Sequence, residues 1–359
     1  MRPAARVFRA LVIPVLVTVA SCGGKTGILT GEEIPQDGGS GGTQTGAPSV
    51  TRAPSCEVKE FSIPTADSVA LFITAGPDHN LWFTEYVGNR VGRITPSGTI
   101  TEFSLPAANS GPQGITTGKD GNLWFGEGAY ALNYNGRIAF ITPAGKLTEF
   151  PPIGGNSRAT GITSGSDGAI WFADQFLDVI GRMTTNDERS FFLVPGSASP
   201  YAITSGPDGN LWFTEPFDNT IVRITTSGVM TEFPLPTPDS GPGWIATGPD
   251  GNLWFTESLS NSNGYSHDGI GRMTPAGEVT EFGLPTSGSE PWGIVAGPDG
   301  NMWFTEYGAD KIGRISPDGT IAECPLPTGG TGVAGITLGP DQNLWFVESL
   351  ANKVGRVSP

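Results

Sequence analysis

Apolar and polar residues alternate in short runs along most of the chain, and the runs recur. The cleanest copy reads Gly206-Pro207-Asp208-Gly209-Asn210-Leu211-Trp212-Phe213-Thr214-Glu215. Its Trp-Phe pair returns at Trp82, Trp124, Trp171, Trp212, Trp254, Trp303 and Trp345, with spacings of 42, 47, 41, 42, 49 and 42 residues. Self-similarity at roughly 40–50 residues marks a solenoid, a propeller or an array.

Each unit predicts four short strands and no helix. In the fourth unit Tyr201 to Gly206 is short and carries small and β-branched residues, and Pro207-Asp208-Gly209 is a turn signal. Asn210 to Glu215 is a second strand with Trp212 and Phe213 on opposite faces. Ile221 to Thr225 is a third, and Val229 to Phe233 a fourth, closed by Pro234-Leu235-Pro236. Apolar residues on both faces of the second strand suit a blade wedged between two neighbouring sheets. Seven four-stranded antiparallel blades around one axis make an all-β, seven-bladed β-propeller.

The ends of the repeat predict how the ring closes. The last unit stops after its third strand, at Val354-Gly355-Arg356-Val357. Glu57 to Pro64 matches the fourth-strand segment Thr99 to Pro106. The N-terminal strand is therefore expected to complete the last blade and remove the open edges. The long spacings come from insertions at Gly128 to Asn135, Pro151 to Thr160 and Ser258 to Asp268.

Composition changes the picture only outside the repeat. The 53 Gly and 31 Pro would suggest disorder in an aperiodic chain, but here most of them mark turns. The net charge of -15 argues against nucleic acid and anionic membrane surfaces as partners. Residues 1–21 read as a signal peptide, with Arg2, Arg6 and Arg9 ahead of an apolar run too short to span a bilayer. Val19-Ala20-Ser21-Cys22 resembles a bacterial lipobox, so Cys22 is the expected lipidation site; the alternative is an ordinary signal peptide. Residues 22–54, rich in Gly, Ser and Thr, read as a flexible tether to a propeller over 55–359. The expected place is the bacterial cell envelope on the extracytoplasmic side, the outer membrane if the source is Gram-negative. Membrane contact is expected only through the lipid, and the domain is expected to be a monomer. Cys56 and Cys324 fall on outer strands of neighbouring units, where a disulfide is open but not required.

The unit Gly-Ile-Thr-x-Gly-x-Asp-Gly-x-Leu-Trp-Phe-x-Glu, followed by Ile-Gly-Arg-Ile-Thr and Thr-Glu-Phe-x-Leu-Pro, resembles the virginiamycin B lyase family over residues 57–359. The resemblance implies a seven-bladed propeller that linearises cyclic streptogramin B depsipeptides by elimination, with Mg2+. It also implies catalytic histidines in Pro-His-Gly/Ala-Ile-Thr segments that lead into the first strands of the last two blades. A base there would take a proton next to a carbonyl, and a metal or donor would hold the developing charge. This sequence has Trp292 and Ala334 at those places, and only Glu348 fits an acidic family position. His79 lies in the first unit's turn at the opposite end, and His267 in the long loop of the fifth unit at the same end.

Two kinds of candidate follow. The acids that close the second strands, Glu85, Glu127, Asp174, Glu215, Glu257, Glu306 and Glu348, are expected as a ring near one mouth of the channel. They are either scaffold, accepting hydrogen bonds from backbone or Arg, or a cation site, with Glu306 and Glu348 as metal candidates. Third-strand arginines Arg93, Arg137, Arg182, Arg223, Arg272, Arg314 and Arg356 read as scaffold that bonds acids or carbonyls between blades. Departures from the repeat point better to function. Leu71, Gln113, Thr160, Tyr201, Gly243, Trp292 and Ala334 vary while the residues around them do not. Gln113, Tyr201, Trp244 and Trp292 are the candidate ligand-binding set, with Glu290, Tyr265 and His267 beside them; the aromatics either form a cup or plug the channel. The expected function is a binding module, for a small molecule or peptide or a cell-envelope protein, with the lyase site degenerate. The alternatives are a lyase or a lactonase-like metal hydrolase built from Glu348, His267 and Glu290.

Overall fold

The computed structural model describes residues 56–128, 136–155, 157–196, 199–258 and 268–359. These form seven four-stranded antiparallel sheets, six of them blades built from consecutive strands. Blade 1 comprises Ala70–Ala75, Leu81–Glu85, Arg90–Ile94 and Ile100–Ser104. Successive first strands lie beside one another and enclose the central channel. The last blade takes Val333–Leu338, Leu344–Glu348 and Lys353–Val357 from the C-terminus and Val58–Ser62 from the other end, with Val58 opposite Val357. The expected latch is therefore present.

The Trp-Phe stretch organises each blade through one polar atom. Asp208 Oδ1 accepts the Trp212 indole N–H at 3.0 Å and the Asn210 backbone N–H at 3.1 Å. The same Asp–Trp bond recurs in all seven blades. A buried indole needs such a partner, and the turn aspartate supplies it. The other face of Trp212 stacks on Phe233 of the outer strand at 5.3 Å. Phe304 lies over Gly313 of the next strand so closely that a Cβ there would come within 2.1 Å of the ring, which explains the Ile-Gly-Arg signature.

The third-strand arginines behave as scaffold. Arg223 lies over Trp212 and Phe233, and Arg93 and Arg272 also donate to Pro143 and Pro317 carbonyls of the following blade at 3.1 and 2.6 Å. Arg137 is a correction. The residue opposite Trp124, where other blades place arginine, is Phe140, which packs on Trp124 at 4.9 Å. Arg137 instead begins its strand opposite Glu127 and bonds Glu149 at 3.0 Å. The Gly136-Arg137 pair imitates the signature three residues early.

Neighbouring blades are clasped by polar contacts. Glu102 accepts both the backbone N–H and the hydroxyl of Thr65 at 2.9 Å, and Glu60 accepts the Thr328 hydroxyl at 2.7 Å. Cys56 and Cys324 are joined by a disulfide, with Cα atoms 6.0 Å apart across 268 residues of sequence. It ties the latch strand to the outer strand of blade 6. Cys22 and the leader and tether readings lie outside the described residues.

Candidate functional site

The variable positions share one backbone device. In blade 6, Pro291 pairs with Glu306 and Ile294 with Phe304, so Trp292 and Gly293 together oppose Thr305. Equivalent irregularities fall at Leu71, Gln113, Thr160 and Ala334. In blade 4, Tyr201 N–H and Ala202 C=O both bond Thr214. A bulge inserts an unpaired residue and re-aims its side chain. The bulge position carries a different residue in each blade: Leu71, Gln113, Thr160, Tyr201, Gly243, Trp292 and Ala334.

The bulges are held by threonines of the second strands. Thr305 Oγ1 accepts the Gly293 N–H at 2.8 Å and donates to the Ala334 carbonyl of the next blade at 2.7 Å. Thr256 does the same between Trp244 and Trp292, and Thr214 between Ala202 and Gly243.

The aromatic residues meet across the channel. Trp244 packs on Trp292 at 5.0 Å and on Tyr201 at 5.5 Å. Phe72, from blade 1, reaches Trp244 at 5.0 Å and Trp292 at 5.1 Å. Trp244 and Trp292 are half-buried, Phe72 and Tyr201 buried. These rings close the channel as a plug whose outer faces remain open. A cavity of about 110 Å³ lies among Phe72, Trp244, Trp292 and isoleucines of five blades, including Ile73, Ile115 and Ile336. The sequence reading missed Phe72. Its signal was present: the residue after the bulge position is glycine in four blades and Ala202 in a fifth, but Phe72 and Trp244 in the other two.

Polar groups surround this layer on blades 2 to 4. Gln113 is 1% exposed and Thr160 is 2% exposed. Gln113 Nε2 and Thr160 Oγ1 have no hydrogen-bond partner in the protein. Burial pushes the Tyr201 hydroxyl up to about 12, against a smaller opposing pull from Arg158, so it keeps its proton. Glu290 stands exposed at the rim of blade 6, and its carbonyl accepts the Tyr307 N–H at 3.1 Å.

The ring acids do not line the mouth. They are buried between blades. Burial first, and neighbouring acids second, push Glu85, Glu215 and Glu306 up to about 8 and Glu348 and Glu127 to about 7. Asp174 matches the expected scaffold role: it accepts the Ser157 hydroxyl and the N–H groups of Arg158, Phe176 and Leu177. Both carboxyl oxygens of Glu306 and Glu348 lack partners. A hard divalent cation takes several oxygen ligands together. Among the described residues no three His, Cys, Asp or Glu side chains converge. The described residues therefore do not fit Mg2+. His267 and Tyr265 lie outside the described residues, and His79 sits in its turn with φ of 58°.

Comparison with known proteins agrees with the blade count and the repeat. The sequence profile of the virginiamycin B lyase family matches residues 35–151, 128–266 and 262–359. The solved streptogramin B lyase structure is 36% identical, with a TM-score of 0.77 over 84% of this chain and 97% of that one. Virginiamycin B lyase from Staphylococcus aureus is 36% identical, with a TM-score of 0.78 over 85% of this chain and 100% of that one. A catalytically inactive histidine-to-alanine variant of the Staphylococcus aureus enzyme, solved with quinupristin, matches at 36% identity and a TM-score of 0.77, over 85% of this chain and 100% of that one. With this repeat, this closure and these matches, the chain belongs to the virginiamycin B lyase family.

Proposed function

We propose that this chain is an exported, lipid-anchored member of the family that holds a ligand at its channel mouth and does not linearise streptogramins. The observation that carries the reading is the pair Trp292 and Ala334 at the bulges of blades 6 and 7, where the resemblance puts the histidines. Abstraction of a proton next to a carbonyl needs a base within hydrogen-bond reach. A methyl group has no lone pair to offer, and an indole N–H only donates. Trp292 is moreover committed to packing, against Phe72 and Trp244. Glu348 does not replace the missing bases, since it is fully buried and a base must come within hydrogen-bond reach of the substrate proton. The aromatic layer and the variable bulges support a ligand site, because pockets combine apolar walls with a few placed polar groups. The form of residues 1–22 supports export and lipidation at Cys22.

The test is incubation of the purified protein with quinupristin, with and without Mg2+, followed by mass spectrometry. Unchanged mass and an intact ring are expected. Accumulation of a linear isomer at a rate abolished in Glu348→Gln would overturn the reading.

A further inference from the structure

Arg158 stands two residues before the bulge of blade 3, and no other blade has a basic residue there. The corresponding residues Val69, Gly111, Ser199, Gly241, Glu290 and Gly332 all have positive φ, and Arg158 does not. Its side chain is accommodated rather than tolerated. A Cβ at Gly128 would fall 2.7 Å from Arg158 Cγ, so that glycine leaves room for the stem. The guanidinium lies 6.0 Å from the Phe176 ring and acts electrostatically on Tyr201. Its Nε is buried without a hydrogen-bond partner.

Three donors without a partner in the protein come from adjacent blades 2 and 3: Arg158 Nε, Gln113 Nε2 and Thr160 Oγ1. The two blades are close here, since a Cβ at Gly114, next to Gln113, would fall 2.4 Å from the Thr160 carbonyl oxygen. Leaving a buried donor unmade costs about 1–3 kcal/mol, which a ligand that paired it would recover. An arginine fork beside neutral donors matches a carboxylate. On blade 6 the position equivalent to Arg158 is Glu290, which repels an anion and so favours one orientation. Trp244 and Trp292 supply a half-buried aromatic floor, 5.0 Å from ring to ring, beside the 110 Å³ cavity.

We propose that the channel mouth binds a small molecule with a planar apolar body and one carboxylate. The carboxylate lies against Arg158, Gln113 Nε2 and Thr160 Oγ1, and the body lies on Trp244 and Trp292. This rests on the ligand-binding reading above and adds the class of ligand.

The test is calorimetric titration of the full chain with phenylacetate, benzyl alcohol and acetate. Phenylacetate is expected to bind most tightly. Arg158→Gln should weaken it about tenfold or more, the worth of a charged hydrogen bond, and leave benzyl alcohol unchanged. Gln113→Glu, which sets a carboxylate against the ligand's own, should weaken phenylacetate without weakening benzyl alcohol. Thermal unfolding of each variant establishes that it is folded. Equal binding of benzyl alcohol and phenylacetate, or full affinity in folded Arg158→Gln, overturns the carboxylate assignment and leaves a ligand-binding propeller. Absence of binding by all three probes overturns the proposal, and linearisation of quinupristin overturns the reading beneath it.

Discussion

The ring of Phe72 in blade 1 packs edge-on against Trp244 in blade 5, with centroids 5.0 Å apart. The two residues occupy the same position of their repeats, where four blades have glycine. Their contact spans the channel and links blades that are not neighbours in the ring. Edge-to-face pairs of this kind contribute beyond the area they bury. Phe72→Ala should therefore destabilise the protein by about 3 kcal/mol, the typical cost of a buried aromatic truncation. Urea unfolding measures this, and a loss well under about 1 kcal/mol would mean that the plug does not brace the ring. The same variant should enlarge the apolar cavity enough to admit xenon or benzene.

The repeat was readable because its chemistry is local. Asp208 and Trp212 lie four residues apart, and their bond needs nothing beyond their own turn. The latch was readable from the missing fourth strand after Val357 and its match at Glu57 to Pro64. The site was less readable, because its contacts join distant segments. The repeat puts Leu71 at blade 1's variable position, yet the bulge and the cross-channel packing make Phe72 the side chain that meets Trp244. The acid ring looked like a mouth feature, because alternation along a strand does not reveal that its last residue is sealed by the next blade. Glu306 is buried there, beside Glu323 and Asp268. Arg137 was misplaced because a two-residue signature cannot fix register next to an insertion.

Thr305 serves two bulges at once. Its hydroxyl accepts the Gly293 N–H and donates to the Ala334 carbonyl. Thr305→Val keeps the shape and orphans both buried groups. A loss of about 2 kcal/mol is expected, since the cost of unsatisfied buried groups outweighs the gain from an added methyl. Chemical denaturation with an unchanged m-value would establish this. Stability equal to wild type would mean that the bulges hold themselves.

Two groups of carboxyls give stability opposite dependences on pH. Burial raises the turn aspartates, but the amide of Asn210 and the indole of Trp212 outweigh it at Asp208, and the same balance lowers Asp78, Asp250, Asp299 and Asp341. A lowered folded value means stability that is present above the unfolded value near 3.9 and lost as pH falls through the folded one. For Glu85, Glu215 and Glu306 the folded value is raised, from 4.5 to about 8. Folding then takes up protons between these limits, so stability is greatest below 4.5 and declines as pH rises toward about 8. Thermal unfolding should show a maximum at about pH 4–5 and a lower plateau above about pH 8. Glu306→Gln should flatten the decline by raising stability at about pH 9 while leaving it nearly unchanged at about pH 4.5. A parallel shift of the whole curve would show that Glu306 does not titrate in this range.

The Cys56–Cys324 bridge closes 268 residues, so in the unfolded chain it restricts a loop almost as long as the domain. It also fixes the start of the latch strand, whose pairing with Lys353–Val357 is what completes blade 7. Cys324 is buried in the core that joins blades 6 and 7, beside Val333 and Leu344. Reduction should lower stability by about 2–4 kcal/mol, and Cys56→Ser should match it, because Cys56 is the more exposed partner and leaves the core intact. The effect should also be local. Without the bridge, the amides of Val58–Ser62 should exchange by fraying before the rest of the ring opens, whereas with it they should exchange only on global unfolding. Hydrogen exchange with and without reductant separates the two cases. Equal protection of this strand in both would show that Glu60, Thr328 and Lys353 hold the latch without the disulfide.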